Sequence, residues 1–247
     1  MGLLEDKICV VTGAAGGIGS AIAALFVKEG AMVIGIERTE GSISERSADF
    51  PYSDRIVPYC ADITSEQEIK TLVQTVKRNY KKIDVLVNVA GFEANERIGF
   101  ITGENMDKMF RTNVYGTIEM LQYVSRIMMR QPNGGSIINI SSVVGIHGNP
   151  GQLVYSATKG AVNSLTLSAA KELAPYKIRV NAIAPGLTRT KMIENTAPEY
   201  IEKRLAHIPL GRIAEPADIA NMAAFLASDH AAYLTGQIIG VDGGTIM

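Results

Sequence analysis

A doubly wound α/β domain built on a parallel sheet is the fold this sequence predicts, and three observations predict it. Short apolar runs recur along the chain without polar alternation, as in parallel strands covered on both faces. Between them lie stretches whose apolar residues repeat at helical spacing. Glycines crowd the first passage from strand to helix, where such folds carry a ligand turn.

The elements follow in order. Ile8-Cys9-Val10-Val11 reads as the first strand, and Ile18, Ile22, Leu25 and Phe26 mark a helix that Gly30 stops. Met32 to Ile36 is a second strand and Ile56 to Tyr59 a third. Thr64-Ser65-Glu66 opens a helix with Ile69, Leu72, Val73 and Val76 on one face. Asp84 to Val87 is a fourth strand, followed by one long helix from about Glu104 to Arg130. Ser136 to Ile140 is a strand, about Leu153 to Ala174 a helix, and Ile178 to Ile183 a strand again. Pro216 suits the first turn of a helix bearing Ile219, Met222, Phe225 and Leu226. Gln237 to Val241 closes the set. No repeat or linker interrupts the pattern, so residues 1–247 form one domain.

Composition narrows the function. The chain has 24 basic and 25 acidic residues, a net charge of −1, so neither nucleic acid nor an anionic membrane is an expected partner. Charged residues are only 20% of the 247, which suggests that another subunit covers part of the surface. Cys9 and Cys60 read as reduced core cysteines, without metal-ligand spacing, and no metal site is expected. The N-terminus lacks the features of a signal peptide and no apolar run reaches membrane-spanning length, so a cytoplasmic protein is expected.

The turn after the first strand is Thr12-Gly13-Ala14-Ala15-Gly16-Gly17-Ile18-Gly19. Glycines there let backbone N–H groups reach a pyrophosphate at a helix N-terminus. The spacing is G-x-x-x-G-x-G, which matches neither G-x-G-x-x-G nor a Walker loop. Glu37 ends the second strand, eighteen residues after Gly19. A carboxylate there accepts from a ribose 2′-hydroxyl and repels a 2′-phosphate, favouring NAD(H); it is otherwise a solvated strand-end acid. Arg38 beside it either stacks on adenine or reaches a 2′-phosphate, which leaves NADP(H) possible. Asp62 is an acceptor for the adenine amino group or a residue of the next helix start.

Tyr155 and Lys159 stand four apart on a predicted helix, hence on one face. A nearby ammonium and a positive nicotinamide favour the phenolate and lower the tyrosine pKa, which would make Tyr155 a proton carrier for an alcohol or ketone. Ser142 ends the fifth strand, where its hydroxyl can hold the substrate oxygen, while Ser141 points to the other face. A serine-hydrolase triad is excluded: no G-x-S-x-G elbow is present, and His147, His207 and His230 lie in loop-like stretches.

In this order, Thr12 to Gly19, Asp62, Asn88-Val89-Ala90-Gly91, Asn113, Ser142, Tyr155-Ser156-Ala157-Thr158-Lys159 and Pro185-Gly186 resemble the short-chain dehydrogenase/reductases over nearly the whole chain. The resemblance implies a single Rossmann-like NAD(P)-binding domain with a catalytic tetrad. Tyr155 would be the acid/base, Lys159 would bind the nicotinamide ribose, Ser142 would orient the carbonyl, and Asn113 would hold a relay water. Gly13, Ala15, Gly17, Ile18 and Gly19 would hold the cofactor with Glu37, Arg38, Asp62 and Ile63. Asn88, Ala90, Gly91, Pro185 and Gly186 would follow, with Thr188 and Thr190 on the nicotinamide carboxamide. Val89 replaces the second asparagine usual in the family.

Ser142 to Gly145, Phe225 to Asp229 and Val241 to Gly244 look most like the β-ketoacyl-acyl-carrier-protein reductases. The resemblance therefore implies an acyl-thioester or other small-molecule substrate and a homotetramer. Those reductases generally use NADPH, which Glu37 does not suit. They dock an acyl carrier protein through arginines, where this chain has Asn133 and Tyr176, with Arg130 and Lys177 nearby. Hydroxysteroid, sugar and polyol dehydrogenases share every motif, and a non-catalytic nucleotide-sensing protein is the remote alternative. Leu187 to Pro209 would be a substrate lid, opposite Phe92 to Arg97 and His147 to Gln152. The helix with Met106, Met109, Met120, Met128 and Met129, and the one bearing Tyr155, would form a dimer interface.

Overall fold

In the computed structural model, which describes residues 2–47, 53–190 and 198–245, the apolar runs become one parallel sheet in the order β3-β2-β1-β4-β5-β6-β7. Its strands are β1 (Ile8–Thr12), β2 (Met32–Glu37), β3 (Ile56–Cys60), β4 (Val85–Asn88), β5 (Gly135–Ile140), β6 (Ile178–Pro185) and β7 (Ile238–Val241). Strand order reverses between β1 and β4. The connections leave the sheet there in opposite directions and open a crevice at the carboxyl ends.

Two helical layers cover the sheet. On one face α1 (Gly17–Lys28) packs with a C-terminal helix, Pro216–Ala227, burying Ile22, Phe26, Ile219 and Leu226 against Val11 and Val85. On the other, α3 (Glu66–Tyr80) buries Ile69, Leu72, Val73 and Val76, while Met120, Val124 and Met128 pack beside them. Each such side chain contributes about 1.5–3 kcal/mol over an exposed one. Ser65 caps α3 by accepting from the Glu68 N–H, and the left-handed Lys81 ends it. The short α2 is Ser42–Ser47.

The helix expected from Glu104 to Arg130 is not continuous. It is α4 (Gly103–Phe110), a π-turn over Arg111–Tyr115, then α5 (Gly116–Met128). The wider turn turns Asn113 inward, where it is buried and held by both polar groups of the Phe92 backbone. The remaining helices are α6 (Val144–His147), α7 (Leu153–Leu173), α8 (Pro198–Leu205) and α9 (Pro216–Ala227).

Cys9 is buried as expected, but Cys60 is exposed. β3 is the edge of the sheet, it contains Pro58, and its residues alternate in burial instead of being covered on both faces. No helix of the described residues is long and apolar enough to cross a membrane, and no group of three metal-ligating side chains occurs among them.

Candidate active site

A cleft of about 1190 Å³ runs along the carboxyl ends of the strands and takes in both halves of the expected site. Its floor is stitched where β1 meets β4. The buried Thr12 hydroxyl accepts from the N–H groups of Val89 (3.0 Å) and Ala90 (3.1 Å). This bond ties the strand ends together without an asparagine at position 89.

The glycine turn forms the half expected to hold the cofactor. Gly13 adopts φ +66°, and a Cβ on Gly19 would lie 2.0 Å from the Gly13 carbonyl oxygen. Only glycine therefore allows this tight approach of loop and helix. The turn delivers the first N–H groups of α1, ahead of its opening bond from Ser20 N–H to the Gly16 carbonyl (2.8 Å). No acidic residue occupies the first turn of α1, so that end of the helix suits an anion.

Glu37 reaches the same turn, its Oε1 accepting from the Ala15 N–H at 3.1 Å. Arg38 lines the cleft beside it. So does Arg46, which sequence reasoning missed; its Nε donates to the Ser20 hydroxyl (3.3 Å), bringing a cation from α2. That helix is too short for its position to be read from periodicity. Asp62 Oδ1 accepts from the Thr64 N–H and hydroxyl, both at 2.8 Å, and Ile63 follows in the wall.

Of the residues expected to hold the cofactor, Gly13, Ala15, Gly17, Ile18, Gly19, Glu37, Arg38, Asp62, Ile63, Ala90, Gly91, Pro185, Gly186, Thr188 and Thr190 line the cleft. Asn88 does not. Its side chain is buried beneath the floor and donates to Asn139 Oδ1 at 2.9 Å, and Asn139 in turn donates to the Thr166 hydroxyl. Strand alternation accounts for this: Asn88 falls on the same face of β4 as the buried Leu86. His147 is exposed and also stands outside the lining.

The reactive half lies beyond the glycines, where α7 presents Tyr155 and Lys159 on one face, with Ser142 opposite. Ser141 turns away to donate to Asn163 Oδ1 (2.6 Å) and the Lys159 carbonyl (3.2 Å), fixing β5 to α7. Lys159 Nζ donates to the Ile140 carbonyl at 2.8 Å and stands 5.6 Å from the centre of the Tyr155 ring. Burial pushes the ammonium down to about 8, and the Glu93 carboxylate pulls the other way.

The tyrosine departs from expectation. Its pKa is raised, first by burial and then by the Glu93 charge, with hydrogen bonding from Ser142 only partly opposing them. Desolvation of the phenolate is the largest cause in this arrangement.

Asn113 lies behind this pair. Oδ1 accepts from the Phe92 N–H (2.8 Å), and Nδ2 donates to the Phe92 carbonyl (2.9 Å) and the Thr158 hydroxyl (3.0 Å). A Cβ on Gly91 would sit 3.4 Å from Asn113 Oδ1 and 3.6 Å from Lys159 Nζ, so Asn113 and the lysine flank one point. The side chain is thus committed to protein partners.

Of the expected lid, residues 187–190 and 198–209 are described, and residues 191–197 lie outside the described residues. Arg204 of α8 reaches the cleft and donates to Asn149 Oδ1 (3.1 Å). Lys108 also lines this end, 4.1 Å above the Phe92 ring. Asn133, Tyr176, Arg130 and Lys177 are exposed around the amino ends of β5 and β6, away from the carboxyl ends where the cleft opens.

The glycine cradle, the free helix end and the facing Ser-Tyr-Lys group fit a nicotinamide dinucleotide. The chain belongs to the short-chain dehydrogenase/reductase family. The family model described as enoyl-(acyl carrier protein) reductase matches residues 13–245. The chain is 43% identical to 3-oxoacyl-(acyl-carrier-protein) reductase FabG of Thermotoga maritima, over 99% of each chain. It is 38% identical to a 3alpha-hydroxysteroid dehydrogenase of Mediterraneibacter gnavus, over 98% of this chain and 97% of that one. A solved short-chain type dehydrogenase/reductase from Mycobacterium ulcerans superposes with a TM-score of 0.92 at 33% identity, covering 98% of this chain and 90% of that one.

Proposed function

We propose that this oxidoreductase exchanges hydride between a nicotinamide dinucleotide, NAD(H) in preference to NADP(H), and the carbon of a secondary alcohol or ketone. The observation that carries the reading is the meeting of Ser142, Tyr155 and Lys159 in the same cleft as the glycine turn. When bound, the nicotinamide would supply the hydride and, oxidised, a positive charge that favours the phenolate.

The chain supplies the rest. Gly13 to Gly19 and the N-terminus of α1 hold the diphosphate. Ser142 donates to the substrate oxygen and fixes its direction. Tyr155 gives that oxygen a proton on reduction and takes one on oxidation. The raised phenol pKa suits the donor role, and the Lys159 ammonium stabilises the phenolate left behind. Asn113 positions the loop at Phe92 and, its side chain being committed there, we assign its main chain at the π-turn to the proton path from Lys159. Glu37 supports NAD(H), because a carboxylate held at the glycine turn would repel a 2′-phosphate; Arg38 and Arg46 keep NADP(H) within reach.

Likeness to the FabG enzymes supports a 3-oxoacyl thioester as substrate, delivered by an acyl carrier protein. Arg130 and Lys177 are the cations offered to such an acidic carrier, and from their end of the sheet they would serve the cleft of another copy. A second reading, a hydroxysteroid, sugar or polyol dehydrogenase, is favoured by the polar substrate wall of Glu93, Asn95, Asn149 and Gln152. Steady-state turnover of 3-oxoacyl thioesters, hydroxysteroids and polyols with each dinucleotide tests both readings. NADH-dependent turnover of a ketone or secondary alcohol is expected; dinucleotide binding with no turnover across the panel would leave the nucleotide-sensing alternative instead.

A further inference from the structure

Glu93 is a carboxylate in the substrate end of the cleft that the proposed chemistry does not use. Its Oε1 accepts from the Gln152 side-chain amide. Among the described residues, Oε2 accepts no hydrogen bond and no lysine or arginine forms an ion pair with the group. A partly buried carboxylate so placed draws hydrogen-bond donors and repels anions.

The position is held rigidly on both sides. Asn113 clasps the Phe92 backbone at its N–H and carbonyl. Glu96 pairs with Gln152 as an isolated bridge, its N–H donating to the Gly151 carbonyl at 2.9 Å. The Glu96 carboxylate is anchored in turn by the Thr102 hydroxyl and the Asn105 amide, both at 2.9 Å. Gln152 is oriented as well, because its Oε1 accepts from Asn149 Nδ2 at 2.7 Å, which turns its N–H groups to Glu93. Gln152 stands three residues before Tyr155, so the carboxylate borders the reacting position. Its charge raises the pKa of both Tyr155 and Lys159, in keeping with that closeness.

We propose that Glu93 is a specificity-determining residue: Oε2 accepts from a hydroxyl close to the reacting carbon and excludes substrates with a carboxylate there. The inference rests on the reading of the cleft as an alcohol–ketone site. Within it, a hydroxyketone or diol is favoured over both a plain ketone and a free oxo acid.

A matched four-carbon series tests this with the dinucleotide-loaded enzyme: 4-hydroxy-2-butanone, 2-butanone and 3-oxobutanoate. For the natural enzyme kcat/KM should fall in that order, by at least tenfold from first to last. Glu93→Gln should raise 3-oxobutanoate at least tenfold relative to 2-butanone while keeping the preference for the hydroxyketone. Glu93→Ala should abolish that preference. Ratios within twofold of the natural enzyme in both variants would overturn the assignment. Calorimetric affinities of the three compounds carry the same expectations. A complete lack of turnover with the affinity order intact would count against the alcohol–ketone reading alone.

Discussion

Tyr155 and Lys159 are neighbours on one helical face, yet burial drives them in opposite directions, the phenol up and the ammonium down to about 8. For Lys159 this has a consequence that does not need a substrate. Between about 8 and its ordinary 10.5, the unfolded chain holds a proton that the folded protein has released, so stability rises with pH across that window. The slope is at most about 1.4 kcal/mol per pH unit. Lys159→Met should lose this rise in urea unfolding between pH 8 and 9.5; parallel curves for the two proteins would contradict the buried ammonium. Glu37→Ala should reduce the ratio of NADH to NADPH kcat/KM by about tenfold, the scale of one charge-assisted contact. An unchanged ratio would remove that residue from cofactor choice. Ser142, Tyr155, Lys159 and the glycines were legible because their types and spacings are themselves the chemistry. The raised phenol pKa was not, since it depends on how much of the ring is buried.

At the scale of elements, the strands could be read because a sheet covered on both faces demands unbroken apolar runs, as in Val85-Leu86-Val87. The limits of that reading are physical. Ile56 to Cys60 is nearly as apolar as an inner strand, and Pro58 is the one residue in it that marks an edge, where the sheet order places β3 and exposes Cys60. The π-turn at Arg111–Tyr115 leaves no mark in the apolar spacing, because what it accommodates is the polar Asn113. Asn88 shows the same limit: the face of the strand on which it falls decides whether it lines the cleft or meets Asn139. The turn makes its own prediction. Asn113→Ala should cost about 2–3 kcal/mol, since it leaves the Phe92 N–H and carbonyl without partners. Chemical denaturation measures this, and an unchanged midpoint would show that the turn does not hold the loop.

At the scale of the whole molecule, the low charge found in the sequence has a counterpart on the surface. Met109, Met120 and Met128 are buried within the chain, but Met106, Tyr115 and Ile118 of the same stretch, and Leu153 and Leu167 of α7, are exposed. We propose that a second copy covers this face. Ile118→Arg combined with Leu167→Arg should then shift the sedimenting species toward the 26.5 kDa single chain; unaltered sedimentation would place any subunit contact elsewhere. Whatever the assembly, the reaction is assigned to one cleft in one domain, with the proton carried by Tyr155. The most direct test is steady-state reduction of a ketone panel by NADH with Tyr155→Phe beside the natural protein. In the variant kcat should fall by about 10²–10⁴ while the dissociation constant for NADH stays within about threefold. Turnover by Tyr155→Phe close to that of the natural protein would contradict it.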